Sequence, residues 1–166
     1  MGRIKQSQIT YWCHEIIRSQ AEAGGCYIDA TMGKGNDTLF LCELAGENGK
    51  VLAFDIQQEA LDATRELLRI HGKEQQAELI LDGHEHMDRY AMEESTDVIC
   101  FNFGYLPGGD HKLATTYQTS IEAIGKGLGI LKHGGMMSLC IYSGGDTGFE
   151  AVSYTHLRAH ETRSNL

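Results

Sequence analysis

Proline is nearly absent from this sequence: one residue of 166 is proline, against 20 glycines. Because proline stiffens linkers and glycine allows tight turns, this imbalance favours short strand-to-helix turns over rigid connections. No apolar run approaches the ~20 residues of a membrane-spanning helix, and the N-terminus lacks the apolar segment of a signal peptide. We therefore expect a cytoplasmic protein with no membrane partner.

Paired cysteines are also missing. The five cysteines are spread along the chain without a C-x-x-C pair, so we predict neither a zinc site nor a disulfide framework. Most of them lie in apolar runs, which is typical of buried, inert thiols. Basic residues are outnumbered by acidic ones, 14 to 23, for a net charge of −9. This balance argues against a surface that coats nucleic acid broadly, but it permits a local basic patch that meets an RNA.

The sequence has the length and composition of one globular domain, with 42% apolar and 22% charged residues. Five short apolar runs, unbroken by polar alternation, predict strands that are buried on both faces of a parallel sheet. Together with the helical segments around them, they predict an α/β fold with a Rossmann-like, doubly wound, mostly parallel sheet. The predicted strands are 26–30, 51–55, 78–81, 98–102 and 136–142, and the predicted helices are 9–23, 38–44, 59–70 and 120–131.

The last residues differ from the rest. Residues 151–166 show no apolar periodicity and carry a run of small polar side chains. An ordinary terminal tail and a foreign, cloning-derived end both fit this composition. We therefore predict one domain over residues 1–150, followed by an atypical tail over 151–166 that is excluded from functional reasoning.

The segment YIDATMGKGNDT carries the strongest local signal. An apolar strand ends at Asp29, a loop with Gly33 and Gly35 follows, and a helix then begins. Glycines let a backbone turn sharply and approach a ligand closely, and a helix N-terminus offers free N–H groups to an anionic group such as a carboxylate. A plain tight turn between strand and helix is the alternative interpretation.

A second acid supports the ligand interpretation. The strand VLAFD ends at Asp55, where a carboxylate can accept hydrogen bonds from ribose hydroxyls. The alternative role for Asp55 is a helix cap, and the two roles can coexist. A dinucleotide fingerprint requires glycine at position 38, where Thr38 stands, and the loop lacks the Gly-Lys-Ser/Thr ending of a P-loop. The acid-before-loop pattern therefore indicates a site for S-adenosylmethionine.

Two further segments follow later predicted strands. Asp82 can accept a hydrogen bond from an adenine amino group, while His84 and His86 are better explained as surface or hydrogen-bonded histidines than as metal ligands. In CFNFGYLPGGDHK, Asn102 and Tyr105 have the Asn-x-x-Tyr spacing of amine methyltransferases with an Asn-Pro-Pro-Tyr loop. In those enzymes the amide and nearby carbonyls accept hydrogen bonds from the target amine, which positions it for in-line transfer. The alternative is a glycine- and proline-containing turn with a core tyrosine.

Taken together, the segments DATMGKGNDTLFL, AFDIQ, GHE and FNFGYLPGGD resemble one family. It consists of small bacterial class I S-adenosylmethionine-dependent methyltransferases labelled putative rRNA methylases and linked to the tRNA wobble uridine. The resemblance spans roughly residues 5–150. It implies S-adenosylmethionine as cofactor and methylation of the aminomethyl group of 5-aminomethyl-2-thiouridine in the anticodon stem-loop of tRNA. We expect no metal, because the cysteine and histidine spacings do not suit a metal site.

The resemblance also assigns residues to roles. It implies catalytic roles for Asn102 and Tyr105 and a substrate side formed by Tyr105, Lys112, Thr115, Thr119 and Ser120. The residues it assigns to the cofactor are Asp29, Thr31, Gly33, Gly35, Asn36, Asp37, Asp55, Gln57, Asp82, His84 and Asn102. Members of the family continue with a helix and two more strands, so we expect the terminal strands to be missing here and the fifth strand to be exposed. A small-molecule amine methyltransferase and a truncated, non-catalytic Rossmann-like remnant stay open as alternatives, as does a homodimer.

Overall fold

The computed structural model of the chain describes residues 6–103, 117–143 and 151–158. These residues form one sheet with the strand order β3-β2-β1-β4-β5-β6, in which β1 to β5 run parallel and β6 is antiparallel to β5. The result confirms the predicted Rossmann-like, mostly parallel sheet. The strands are β1 (Cys26–Asp29), β2 (Lys50–Asp55), β3 (Ala77–Leu81), β4 (Thr96–Phe103), β5 (Leu131–Ser143) and β6 (Ala151–Arg158).

Four α-helices and two short 3₁₀ helices occur in the described part of the chain. None of these helices has the length and apolarity that crossing a membrane requires. The predicted helices are all present, with ends that differ by a few residues from the sequence-based bounds. The α-helices are α1 (Gln6–Gln20), α2 (Asn36–Ala45), α3 (Gln58–Ile70) and α4 (Tyr117–Ile130), and the 3₁₀ helices are Glu74–Gln76 and His84–Arg89.

The core lies on both faces of the sheet because neighbouring residues of each strand point to opposite sides. In β1, Tyr27 packs with side chains of α1, α2 and α3 on one face, whereas Ile28 packs with α4 and the second 3₁₀ helix on the other. Met136 and Met137 divide between the same two faces in β5. Burial on both faces explains the continuous apolar runs of the sequence.

The strand order places the functional segments at one edge. β1 lies between β2 and β4, so the chain order reverses at this point of the sheet. In open α/β sheets, ligands bind outside the carboxyl ends of the strands at such a reversal. The segments that follow β1, β2 and β4 meet at this edge, which we call the carboxyl edge.

The cysteines follow the sequence-based expectation with one exception. Four of the five are buried, and Cys26 at the start of β1 is exposed. Burial raises the pKa of Cys42 to about 12 and also raises the pKa of Cys100. The sulfur atoms of Cys13 and Cys140 lie 3.4 Å apart in the interior. Since the thiolate is the reactive form, the raised pKa values indicate poorly reactive thiols at these positions.

The predicted start of β5 was wrong. The strand begins at Leu131, directly after α4, and its pairing with β4 shifts register between Thr96 and Val98. Gly135 belongs to this irregular part of the strand. A Cβ atom there would lie 2.9 Å from the carbonyl oxygen of Lys132 and 3.2 Å from that of Asp97, so the irregular backbone favours glycine at this position.

The expectation of a strandless end and an exposed fifth strand was also wrong. Residues 151–158 form β6, which pairs with β5 from Ser143↔Ala151 to Met136↔Arg158. Their sequence, AVSYTHLR, contains β-branched and aromatic residues that favour strands. Pairing satisfies the backbone groups that β5 would otherwise leave open. The domain boundary at residue 150 and the foreign origin of the tail stay predictions.

Candidate active site

The loop between β1 and α2 has the conformation that its glycines predict. Gly33 and Gly35 have φ angles of +51° and +87°, in the left-handed region that favours glycine. A Cβ atom on Gly35 would lie 2.8 Å from Oγ1 of Thr64 and 3.0 Å from its Cα. α2 begins at the next residue, Asn36, whose side chain is exposed. The N-terminus of α2 therefore opens onto the carboxyl edge directly after a glycine that no other residue can replace without strain.

Asp29 lies beneath this loop and is fully buried. Its Oδ1 accepts a hydrogen bond from the backbone N–H of Thr31 at 3.1 Å, and its Oδ2 accepts one from Oγ1 of Thr38 at 2.6 Å. Burial, reinforced by the negative charge of Asp37, raises the pKa of Asp29 to about 7. Asp29 thus stabilises the loop from the protein interior. One of its two hydrogen-bond donors is Thr38, which occupies the position where a dinucleotide fingerprint needs glycine.

Asp55 ties the end of β2 to the same loop. Its two carboxylate oxygens accept hydrogen bonds from the backbone N–H groups of Gly33 and Gln57, each at 3.0 Å. Gln57, which is half-buried, is itself the residue that precedes α3. Asp55 therefore forms a turn ahead of the helix and is not the N-cap itself. Its half-buried position leaves it beside the loop at the carboxyl edge.

Asn102, near the end of β4, connects that strand to the loop and to α2. Its backbone N–H donates to Oγ1 of Thr31 at 2.7 Å, and its side-chain Nδ2 donates to Oδ2 of Asp37. Oδ1 of Asp37 lies 2.6 Å from Nε2 of His14 in α1. The structure therefore brings together four residues that three separate segments of the sequence supply.

The sequence analysis missed His14. No local motif marks it, because its significance comes from a contact with Asp37, 23 residues away. Its ring stacks on Phe40 of α2, with the ring centres 4.0 Å apart and the planes 9° apart. The His14 and Asp37 side chains are only 18% and 15% exposed, which places their contact largely out of water.

The segment after β3 forms a separate group at the same edge. Asp82 accepts hydrogen bonds from the backbone of Gly83, the ring of His86 and the hydroxyl of Tyr90 at 2.7–3.0 Å. The bond from His86 lowers the pKa of Asp82. His84 is buried, and its Nδ1 donates to the carbonyl oxygen of Ala30 at 3.0 Å, while burial lowers its pKa. Both histidines are hydrogen-bonded, and within the described ranges no cluster of three metal-ligating side chains occurs.

The predicted substrate side is described only in part. Tyr105, Lys112 and Thr115 lie outside the described residues. Thr119 and Ser120 are half-buried in the first turn of α4. α4 packs on the opposite face of the sheet from α2. The roles assigned to these five residues stay predictions.

Comparison with known proteins gives a consistent result. The family model described as "Putative rRNA methylase" matches residues 51–158. A "tRNA (mnm(5)s(2)U34)-methyltransferase, chloroplastic" of Arabidopsis thaliana is 34% identical over 160 residues, covering 91% of this chain. The chain spans 57% of that relative's length.

Two solved structures are similar in both sequence and fold. A protein described as a putative rRNA-methylase from Clostridium thermocellum is 42% identical, with a TM-score of 0.78 over 89% of this chain and 78% of that one. A protein described as a putative methyltransferase from Streptococcus mutans, in complex with SAH, is 37% identical. Its TM-score is 0.70 over 83% of this chain and 73% of that one.

Proposed function

Because the chain belongs to the family described as "Putative rRNA methylase", we propose that it is an S-adenosylmethionine-dependent methyltransferase that acts on tRNA. Its sheet has the Rossmann-like fold of class I methyltransferases. One observation carries the proposal: Asn102, near the end of β4, is hydrogen-bonded to Thr31 and Asp37 of the glycine loop and α2. An acceptor held at Asn102 therefore lies beside a cofactor held at the loop.

The residues of the carboxyl edge fit S-adenosylmethionine. Gly33 and Gly35 allow the backbone to approach a ligand, and the N-terminus of α2 faces its carboxylate. Asp55 lies where ribose hydroxyls can donate to it. The carboxylates of Asp37 and Asp55 suit a ligand that also carries an ammonium and a sulfonium charge. When bound, the cofactor supplies a methyl group on sulfur for in-line transfer.

The protein's contribution to transfer is mainly positioning. The amide oxygen of Asn102 accepts a hydrogen bond from the target amine and aligns its lone pair with the methyl group. By the family resemblance, we assign contact with the substrate to Tyr105, three residues further on, and the rest of the substrate side to Lys112, Thr115, Thr119 and Ser120. The finer proposal is that the amine is the aminomethyl group of 5-aminomethyl-2-thiouridine at the wobble position of the anticodon stem-loop. This substrate is consistent with the cytoplasmic location predicted from the sequence. The description of the relative from Arabidopsis supports this wobble-position substrate.

Two measurements test the proposal in order. Calorimetric titration with S-adenosylhomocysteine should give saturable one-to-one binding, and a folded chain that does not bind it would refute the cofactor site. Transfer of a labelled methyl group should then occur to tRNA with the unmethylated aminomethyl group and not to the fully methylated tRNA. Free small amines serve as the competing substrate, because the acidic balance of the chain favours them over RNA. Equal kcat/KM for free amines and tRNA would contradict the tRNA proposal.

Replacing Asn102 tests its role directly. Asn102→Ala should reduce methyl transfer by about 10²-fold or more, because the acceptor loses its positioning contact. Affinity for S-adenosylhomocysteine should change little, since the loop keeps its contacts with Asp29 and Asp55. A parallel loss of transfer and of cofactor binding would show that Asn102 supports the loop and not the acceptor.

A further inference from the structure

One carboxylate at the carboxyl edge joins two side chains from different elements. Oδ2 of Asp37 accepts a hydrogen bond from the side-chain amide of Asn102, and Oδ1 of Asp37 contacts Nε2 of His14. The three side chains come from α2, β4 and α1, which no short-range motif connects. We call them the His14–Asp37–Asn102 network. Since all three are at least half-buried, their hydrogen bonds are sheltered from competing water.

The network determines which way the Asn102 amide faces. An ionised carboxylate only accepts hydrogen bonds, so the atom of Asn102 next to Asp37 is the nitrogen. The amide oxygen then lies on the opposite side of the group from Asp37. The backbone of the same residue is held at Thr31, 2.7 Å from its N–H. Asn102 is therefore fixed at both its main chain and its side chain.

His14 holds the other end of the carboxylate. Its Nε2 donates to Asp37, which stops that side chain from rotating away from Asn102. The flat stack on Phe40 fixes the plane of the ring, and the guanidinium of Arg18 lies 5.1 Å from the centre of the same Phe40 ring. α1 thus supplies the side chain that anchors Asp37 in the first turn of α2.

We propose that His14 and Asp37 are positioning residues that orient the Asn102 amide so that its oxygen is presented to the methyl acceptor. The role of the amide oxygen in binding the methyl acceptor rests on the proposed function, whereas the orientation of the amide does not. Without the contact to Asp37, the nitrogen side of the amide loses a fixed acceptor, and an amide nitrogen facing the amine would repel its N–H groups. Because removing His14 leaves the Asp37 carboxylate in place for the cofactor, we expect the loss of the His14 contact to affect kcat more than cofactor affinity.

The test compares two substitutions at His14. His14→Phe keeps an aromatic ring for the stack on Phe40 but removes the donor, and His14→Gln keeps a donor without the ring. We expect His14→Phe to lower kcat by about tenfold, with the dissociation constant of S-adenosylhomocysteine unchanged within about twofold. His14→Gln should recover most of the loss. His71→Phe, at an exposed histidine after α3, is the matched control and should match the unsubstituted chain.

A measurement without turnover separates this inference from the proposed function. In ¹⁵N-labelled protein, the Asn102 side-chain amide is assigned by its disappearance in Asn102→Ala. Its exchange with solvent should be at least about tenfold faster in His14→Phe than in His14→Gln or the unsubstituted chain. Equal exchange rates, an unchanged kcat in His14→Phe, or a loss of kcat that follows a loss of cofactor binding would each overturn the inference. If no tRNA is methylated by the unsubstituted chain, the proposed function fails while the exchange rates still decide the orientation.

Discussion

Single acidic residues of the carboxyl edge differ sharply in their surroundings. Asp29 is fully buried and accepts hydrogen bonds from Thr31 and Thr38. Asp55 and Asp37 are half-buried and connect the loop to other elements. The difference follows from position: Asp29 ends the central strand β1, beneath the loop, whereas Asp37 lies in the first turn of α2, where a negative charge is favourable. Sequence spacing identified these acids without distinguishing their environments.

The buried Asp29 should make stability depend on pH. Its pKa of about 7 in the folded state lies above the usual 3.8. A raised pKa means that the folded state favours the protonated acid, so this contribution to stability is full below about pH 4 and is lost as pH rises to about 7. We expect Asp29→Asn to gain stability relative to the unsubstituted chain across this range and to hold a constant advantage above pH 8. Urea unfolding from pH 4 to 8 measures the difference.

The same change at an exposed position provides the control. Asp62→Asn, on the surface of α3, should show a much smaller dependence on pH than Asp29→Asn. If the two variants respond alike, ionisation of Asp29 does not destabilise the folded state.

At the scale of elements, the connection from β1 to α2 depends on the packing of α3 against it. Thr64 of α3 lies against Gly35 and donates from Oγ1 to the carbonyl oxygen of Gly33 at 3.1 Å. The first turn of α2 is therefore placed by a helix that begins more than 20 residues later in the chain. The glycine pattern predicts a tight loop, but the neighbour that makes glycine necessary is visible only in the fold.

Two glycine substitutions separate conformational strain from chain entropy. Gly35→Ala should destabilise the protein by about 1–3 kcal/mol, because the residue needs a left-handed φ and its Cβ would meet the backbone of Thr64. Gly125→Ala in α4, where nothing lies within 4 Å, should stabilise it by about 0.5–1 kcal/mol. The free energies of unfolding in urea provide the comparison. A neutral Gly35→Ala would mean that the loop can rearrange without cost.

For the whole molecule, the sheet edge beyond β5 is the decisive feature. β6 pairs with β5 over eight residues of each strand, so β5 has a neighbour on both sides. A sheet with its edge strand removed presents a row of open backbone groups that pairs readily with other chains. Residues 151–158, whose pattern did not predict a strand, therefore form the strand next to β5.

Truncation tests the contribution of β6. A chain ending at residue 150 should unfold at lower temperature and aggregate, because it exposes the edge of β5. A chain ending at Arg158, where the pairing ends, should behave like the full chain. Thermal unfolding and light scattering after size-exclusion chromatography distinguish the two. A stable, monodisperse 1–150 chain would show that β6 is dispensable for the sheet.

The sequence by itself determined the order of strands and helices, the glycine loop and the acids that end β1 and β2. These features depend on short-range rules: apolar runs for buried strands, glycine for left-handed turns, and acids at strand ends. The tertiary structure alone decided that His14 joins Asp37 and Asn102, because these contacts cross 23 and 65 residues of sequence. It also decided that residues 151–158 pair with β5, since a strand's partner depends on which edge is open and not on its own pattern.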